Sequence, residues 1–246
     1  MSWDVDQYER FKTERAQPFR DLAALIEPRP NMRIVDLGCG TGELTRELHE
    51  QFAASETLGV DSSESMLSKA SPAANLHFQL SDIATFESDR PFDLIFSNAA
   101  LHWLPDHEHL FSRLVSLLAP NGQLAVQMPA NHEHPSHRIA AELASSFGIA
   151  PRTVNVLPPE NYAALLHRLG FARQHVRLQV YGHVLPSTAD VVEWTKGSTL
   201  TPYREALPAD RYAEFLAEYT ARLVAVLGDA RPYFYTFKRM LLWANR

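Results

Sequence analysis

Arg33-Ile34-Val35-Asp36-Leu37-Gly38-Cys39-Gly40-Thr41-Gly42 is a short apolar run that breaks into alternating glycines. Beyond Gly42 the apolar residues Leu44, Leu48 and Phe52 recur at helical spacing, so the stretch predicts a strand, a glycine turn and a helix. Glycine is needed where backbone must turn sharply or approach a ligand with no Cβ between them. Gly38, Gly40 and Gly42 are therefore expected to cradle a cofactor. The dinucleotide fingerprint would place its third glycine at position 43, where Glu43 stands. An acidic side chain at a helix N-terminus repels a pyrophosphate, so a nucleoside without phosphates fits this turn better.

Outward from the turn, β-like runs alternate with amphipathic stretches. Residues 57–60, 76–80, 93–97 and 123–128 read as further strands, and Ser62, Ser63 and Glu64 open a capped helix running to Lys69. Leu110, Leu114, Leu117 and Leu118 form a helical stripe, closed by Pro120-Asn121-Gly122. In the second half, 135–147 and 159–169 are expected to be helical, 173–181 and 234–243 to be strands, and 188–227 to form a helical insertion. The fold class expected is α/β: a Rossmann-like, doubly wound, mostly parallel seven-stranded sheet with a helical lid insertion. Residues 1–246 are expected to form a single domain, comprising an N-terminal helical cap (1–29), a cofactor-binding half (30–130) and a lid at about 182–232. The lid is too short to fold alone.

Composition narrows the function classes. With 46% of residues hydrophobic and 21% charged, the chain is far from the disordered regime. Twenty-nine acidic residues against 23 basic ones leave a net charge of −6, which opposes a generic grip on nucleic acid. The single cysteine, Cys39, excludes an internal disulfide and a thiolate zinc cage within one chain. No apolar run approaches the ~18 residues of a membrane span, and Asp4, Asp6 and Glu9 do not fit a signal peptide. The expectation is a cytoplasmic protein that binds neither nucleic acid nor membrane, as a monomer or homodimer.

Two acids follow the glycine turn in a telling order. Asp61, at the end of the second predicted strand, is placed to accept from both hydroxyls of a ribose. Asp82, after the third, suits an adenine amino group whose faces Ile83 and Met66 would cover. Glycine loop, Asp61, Asp82-Ile83 and Asp93-Leu94-Ile95-Phe96-Ser97-Asn98 together resemble the motif series of class I S-adenosylmethionine-dependent methyltransferases over residues 30–130. The resemblance implies S-adenosylmethionine as cofactor. It implies Asp36 as a group orienting the loop or the methionine amino group, and Ser62, Asn98 and Trp103 as further cofactor contacts.

Trp3, Tyr8, Phe11 and Arg15, the run from Asn98 to His107, Leu124-Ala125-Val126-Gln127-Met128-Pro129 and Leu185-Pro186-Ser187 with Trp194 look like the branch of that family that methylates small polycarboxylic acids such as trans-aconitate. The residues around 131–159 depart from that branch, which leaves the acceptor open to other carboxylic acids. A carboxylate is ionised at neutral pH, so positioning does most of the catalytic work and no strong base is required. Arg204, Tyr203, Arg239 and Tyr235 are expected to grip the acceptor carboxylates, and Arg15 to close over both ligands.

His102 has two open readings: a donor to the acceptor carboxylate, or a structural imidazole bonded to backbone. Trp103 and the set Trp194, Tyr203, Tyr212 and Tyr219 belong equally well to a core. The histidines at 107, 109, 132, 134 and 137 match no metal-binding pattern, so no metal is expected. Two alternatives stand beside the carboxyl methyltransferase: an enzyme methylating hydroxyl or nitrogen, for which His102 is the candidate base, and a non-catalytic cofactor-binding partner.

Overall fold

The computed structural model describes residues 12–150 and 153–246, with side chains from residue 16 onward. Its elements run in order α1 (Lys12–Ala23), β1 (Arg33–Leu37), α2 (Glu43–Gln51), β2 (Glu56–Asp61), α3 (Glu64–Leu67), β3 (Leu76–Leu80), β4 (Phe92–Asn98), a 3₁₀ turn (Leu101–Trp103), α4 (His107–Ser116), β5 (Leu118–Pro129), α5 (Pro135–Ser146), α6 (Pro159–Arg168), β6 (Arg173–Leu185), α7 (Asp190–Lys196), α8 (Thr201–Ala206), α9 (Ala209–Leu227) and β7 (Tyr233–Asn245). The strands form one seven-stranded sheet in the order β3-β2-β1-β4-β5-β7-β6. Strands β1 to β5 pair in parallel and β7 runs antiparallel to β5. The chain order reverses between β1 and β4, and a crevice at such a switch point is where open α/β sheets hold ligands.

The backbone divides into two compact units. The first, Ala16–Ala130, Asn155–Gln179 and Arg239–Arg246, carries most of the sheet. The near-continuous apolar runs of β1 and β4 are buried on both faces, as parallel strands between helix layers must be. One face packs Val35, Ile95 and Val126 against Leu114 and Leu166 of the covering helices. The other packs Ile34, Phe96 and Ala125 against Phe19 and Leu22 of α1 and Leu48 of α2. The ring of Phe19 meets that of Phe96 edge-on at 5.0 Å.

The second unit includes Asn131–Val154 and Val180–Lys238. It takes in α5 as well as the expected insertion, and this gives it a core of its own in which Leu143, Trp194, Tyr203, Phe215, Tyr219 and Tyr235 are buried together.

Three boundaries differ from the sequence reading. The stripe predicted to carry Leu118 ends with α4 at Ser116, and Leu118 instead pairs with Phe92 at the start of β5. Pro120-Asn121-Gly122 is an irregularity inside the strand, not a break before it: the register jumps from Phe92–Leu118 to Leu94–Gln123, with Asn121 at a φ of 59°. The helix expected from Ser62 to Lys69 is the short α3, capped by Ser63, whose Oγ accepts from the Met66 N–H at 3.3 Å. Of the N-terminal cap, α1 is helical as expected. Trp3, Tyr8 and Phe11 lie outside the described residues, as does the side chain of Arg15.

Candidate active site

The loop between β1 and α2 is built on three left-handed glycines, with φ of 82° at Gly38, 57° at Gly40 and 76° at Gly42. Two of them are demanded by packing. A Cβ at Gly38 would sit 2.2 Å from that of Ala100, and one at Gly42 2.6 Å from the ring of Phe78. Gly40 is different: among the described residues a Cβ there would meet nothing within 4 Å, which leaves its backbone open to an approaching ligand. The Val60 carbonyl accepts from the Gly38 and Cys39 N–H groups at 2.7 and 3.1 Å.

Asp61 ties the loop down as well as standing where a ribose acid belongs. Its Oδ2 accepts from the Gly40 N–H at 2.8 Å and its Oδ1 from the Ser63 N–H at 2.9 Å. Each carboxylate oxygen retains further lone-pair capacity, so the strut can also accept from a vicinal diol.

Asp36 sits below the loop, 3% exposed, and its Oδ2 accepts from Thr45 Oγ1 at 2.6 Å. The sequence reading missed Thr45. Its signal was a polar residue three positions before Leu48 on the buried stripe of α2. Burial pushes the Asp36 carboxyl up to about 7 against the Thr45 hydrogen bond, with the nearby Asp61 adding to the rise. The folded protein thus keeps a proton that the unfolded chain releases near 3.8. The associated stability is complete below that value and is lost as pH rises through about 7. Wild-type protein is expected to lose on the order of 2 kcal/mol between pH 5 and pH 8 relative to Asp36→Asn, read from urea melts at both pH values. Parallel pH profiles would show that Asp36 does not titrate in this window. Burial also raises the Cys39 thiol, which leaves it protonated and unreactive.

The segment after β4 closes on the loop. Ser97 Oγ donates to the Leu37 carbonyl at 2.8 Å, and Ala100 is the residue that excludes a Cβ at Gly38, with Ile83 Cδ1 3.7 Å from the same point. Gly38, Ile83 and Ala100 therefore converge. Met66 is buried, Asp82 is exposed, and one Asp82 oxygen caps its own turn by accepting from the Ala84 N–H at 2.8 Å. Of the residues expected to open α3, Ser63 is the one that caps it, and Ser62, expected as a cofactor contact, is exposed. Asn98 Oδ1 is buried with no partner among the described residues, an oxygen that suits a ligand donor.

His102 and Trp103 form the 3₁₀ turn with their rings 4.6 Å apart, and the His102 carbonyl accepts from Asn155 Nδ2 at 3.3 Å. His107, at the start of α4, is a structural imidazole. Its Nε2 donates to the Leu101 and Leu104 carbonyls at 3.1 Å each, which obliges Nδ1 to accept from the Tyr162 hydroxyl. Burial lowers its pKa, in keeping with that neutral tautomer.

In the second unit, Tyr203 is buried and stacked on Phe215 at 5.1 Å, and Arg204 follows it on α8. Tyr235, expected at an acceptor, is fully buried among Trp194, Phe237 and His134. Its hydroxyl lies 3.2 Å from Ser136 Oγ and accepts from Asn131 Nδ2 at 3.5 Å. His134 and His137 serve this network: His134 Nδ1 accepts from the Ser136 N–H at 3.1 Å, and His137 Nε2 lies 3.0 Å from Thr199 Oγ1. Among the described residues no three His, Cys, Asp or Glu side chains group as metal ligands. Arg239 belongs to the sheet-bearing unit, 8% exposed on β7.

An open glycine backbone at Gly40, a carboxylate at the end of β2, a second after β3 and a buried orphan oxygen at the end of β4 fit a neutral nucleoside that carries an amino acid. They do not fit a pyrophosphate, because Glu43 occupies the first turn of α2. Fold and loop together fit the class that the motif series implies, proteins that bind S-adenosylmethionine.

Comparison with known proteins agrees. A family described as a methyltransferase domain matches residues 8–176. The chain is similar to trans-aconitate 2-methyltransferase of Deinococcus radiodurans, 45% identical over 258 residues covering 100% of this chain and 99% of the relative. It is also similar to that of Variovorax paradoxus, 41% identical with 91% and 89% covered. In fold it resembles the YcgJ protein of Bacillus subtilis, with a TM-score of 0.65, 17% identity and 94% and 98% covered. It likewise resembles phosphoethanolamine N-methyltransferase 2 of Haemonchus contortus in complex with S-adenosyl-L-methionine, with a TM-score of 0.60, 19% identity and 94% and 52% covered. The chain belongs to the S-adenosylmethionine-dependent methyltransferase family, in the branch formed by the trans-aconitate 2-methyltransferases. Among the described residues no helix is long and apolar enough to cross a membrane.

Proposed function

We propose that this enzyme methylates a carboxylate of trans-aconitate to a monomethyl ester. The observation that carries the reading is the end-to-end likeness to relatives named for that acid. Bound S-adenosylmethionine supplies an electrophilic methyl on a positively charged sulfur, so an ionised carboxylate accepts it with no proton to remove. The protein's task is then to hold and orient.

In this proposal Gly38, Gly40, Gly42, Asp61, Met66, Asp82, Ile83 and Asn98 hold the cofactor. Arg239, a buried cation on β7, offsets the charge of acceptor carboxylates, and His102 and Trp103 wall the reacting end after β4. Arg204, Tyr203 and Tyr235 of the second unit are kept as acceptor candidates on their chemistry alone, and Arg15 as the residue expected to close over both ligands. A cytoplasmic location belongs to the proposal and rests on the lone cysteine.

The test is a panel of small di- and tricarboxylates with labelled methyl donor, followed by mild base. Label released as volatile methanol, most strongly with trans-aconitate, is the expected result. Base-stable label would mark an ether or amine product and overturn the reading.

A further inference from the structure

Gln123 and Gln127 lie four residues apart on β5 and so share a face, the one packed against α1. Both are completely buried. Gln123 is fully engaged: its Oε1 accepts from the Glu27 N–H and from Trp243 Nε1, each at 2.9 Å, and its Nε2 donates to the Glu27 carbonyl at 2.8 Å. Gln127 is its opposite, since among the described residues neither Oε1 nor Nε2 has a partner. Its backbone is nevertheless anchored, the carbonyl accepting from the Ala99 N–H at 2.9 Å. More than about nine in ten buried polar groups are paired, because leaving one unpaired is costly. An amide without a partner among the described residues, near a strand end, calls for a partner from outside them.

Its neighbours say which ligand. Register places Gln127 beside Asn98 on β4 and opposite Leu241 on β7. Two residues along β7, on the same face, comes the buried Arg239, at the diagonal position whose separation is roughly 7–8 Å. Amide donors next to a guanidinium suit a carboxylate. The orphan oxygen of Asn98, which only accepts, suits a donor of the cofactor instead. β4 and β5 end here, where ligands of open α/β sheets lie, and Ala100, two residues beyond Asn98, touches the glycine loop.

We propose that Gln127 is a specificity-determining residue: its Nε2 donates to an acceptor carboxylate that is not methylated, while Arg239 balances that group's charge. This rests on the carboxylate-acceptor reading above.

The experiment compares wild type with Gln127→Met, similar in shape and apolar. It measures trans-aconitate kinetics, S-adenosylhomocysteine affinity by calorimetry, and thermal midpoint. The variant is expected to raise the acceptor KM about ten- to a hundredfold, the ratio set by losing a hydrogen bond to a charged group. Cofactor-product affinity should stay unchanged, kcat should stay within a few-fold, and the midpoint should rise by a few degrees as the unpaired amide is removed. A folded variant with unchanged KM overturns the assignment. So does one whose midpoint, KM and S-adenosylhomocysteine affinity all worsen together, which marks a structural role. Should Gln127→Met fail to fold, Gln127→Glu serves the same comparison, with a raised KM supporting the assignment and an unchanged one overturning it. Absence of any ester with wild type removes the carboxylate reading and this assignment with it, whereas ester formation with unchanged variant KM removes only this assignment.

Discussion

Gly38→Ala is expected to abolish cofactor binding and to destabilise the protein by about 2–5 kcal/mol, while Gly40→Ala is expected to fold almost normally and still bind poorly. Both residues have positive φ, which costs an alanine roughly 1–2 kcal/mol. Only at Gly38 does the new methyl meet matter, 2.2 Å from the Cβ of Ala100, so the loop or the segment after β4 must shift. Such overpacking adds roughly 1–3 kcal/mol. At Gly40 the methyl meets none of the described residues, where the backbone of a cradle must stay bare. Chemical denaturation paired with S-adenosylhomocysteine calorimetry separates the two effects. Equal stability losses in the two variants would show that the Ala100 contact is not what requires glycine at position 38, and full affinity in Gly40→Ala would remove Gly40 from the cradle.

Asp61→Ala is expected to weaken cofactor affinity by about 3–4 kcal/mol, some 10²–10³-fold, more than the loss of one ligand hydrogen bond. The carboxylate accepts from two backbone N–H groups, of Gly40 and Ser63, so its removal frees the loop and the start of α3 at once. The loop must then be reordered each time the ligand binds. Asp61→Asn keeps one accepting oxygen and turns an NH2 toward the other donor, so its loss should be intermediate. Calorimetry across the three proteins tests the order, and an affinity in Asp61→Ala equal to wild type would separate Asp61 from the site altogether.

Much of the cofactor half was legible because its signals are local. A glycine whose φ must be positive, an apolar run of strand length and an acid at the run's end are each confined to a few residues, and 33–61 contains all of them in order. The acceptor side was less legible. Tyr203 and Tyr235 show as aromatic residues near arginines in sequence, yet only the packing of the second unit reveals both buried in its core. His107, written among surface-like histidines, is buried and bonded to two carbonyls and a tyrosine 55 positions away. Gln127 sits in an apolar run, and nothing local distinguishes it from Gln123 on the same strand.

Sequence alone determined the strand–loop–helix cradle, the alternation that makes a parallel sheet, and the family. These follow from backbone preference and short-range periodicity, which act along the chain. Tertiary structure decided which polar groups are satisfied: Gln123 by Glu27 and Trp243, Asp36 by Thr45, and Gln127 by none of the described residues. Hydrogen-bond satisfaction depends on partners brought together from distant positions and on exclusion of water, and neither is written in the spacing of residues.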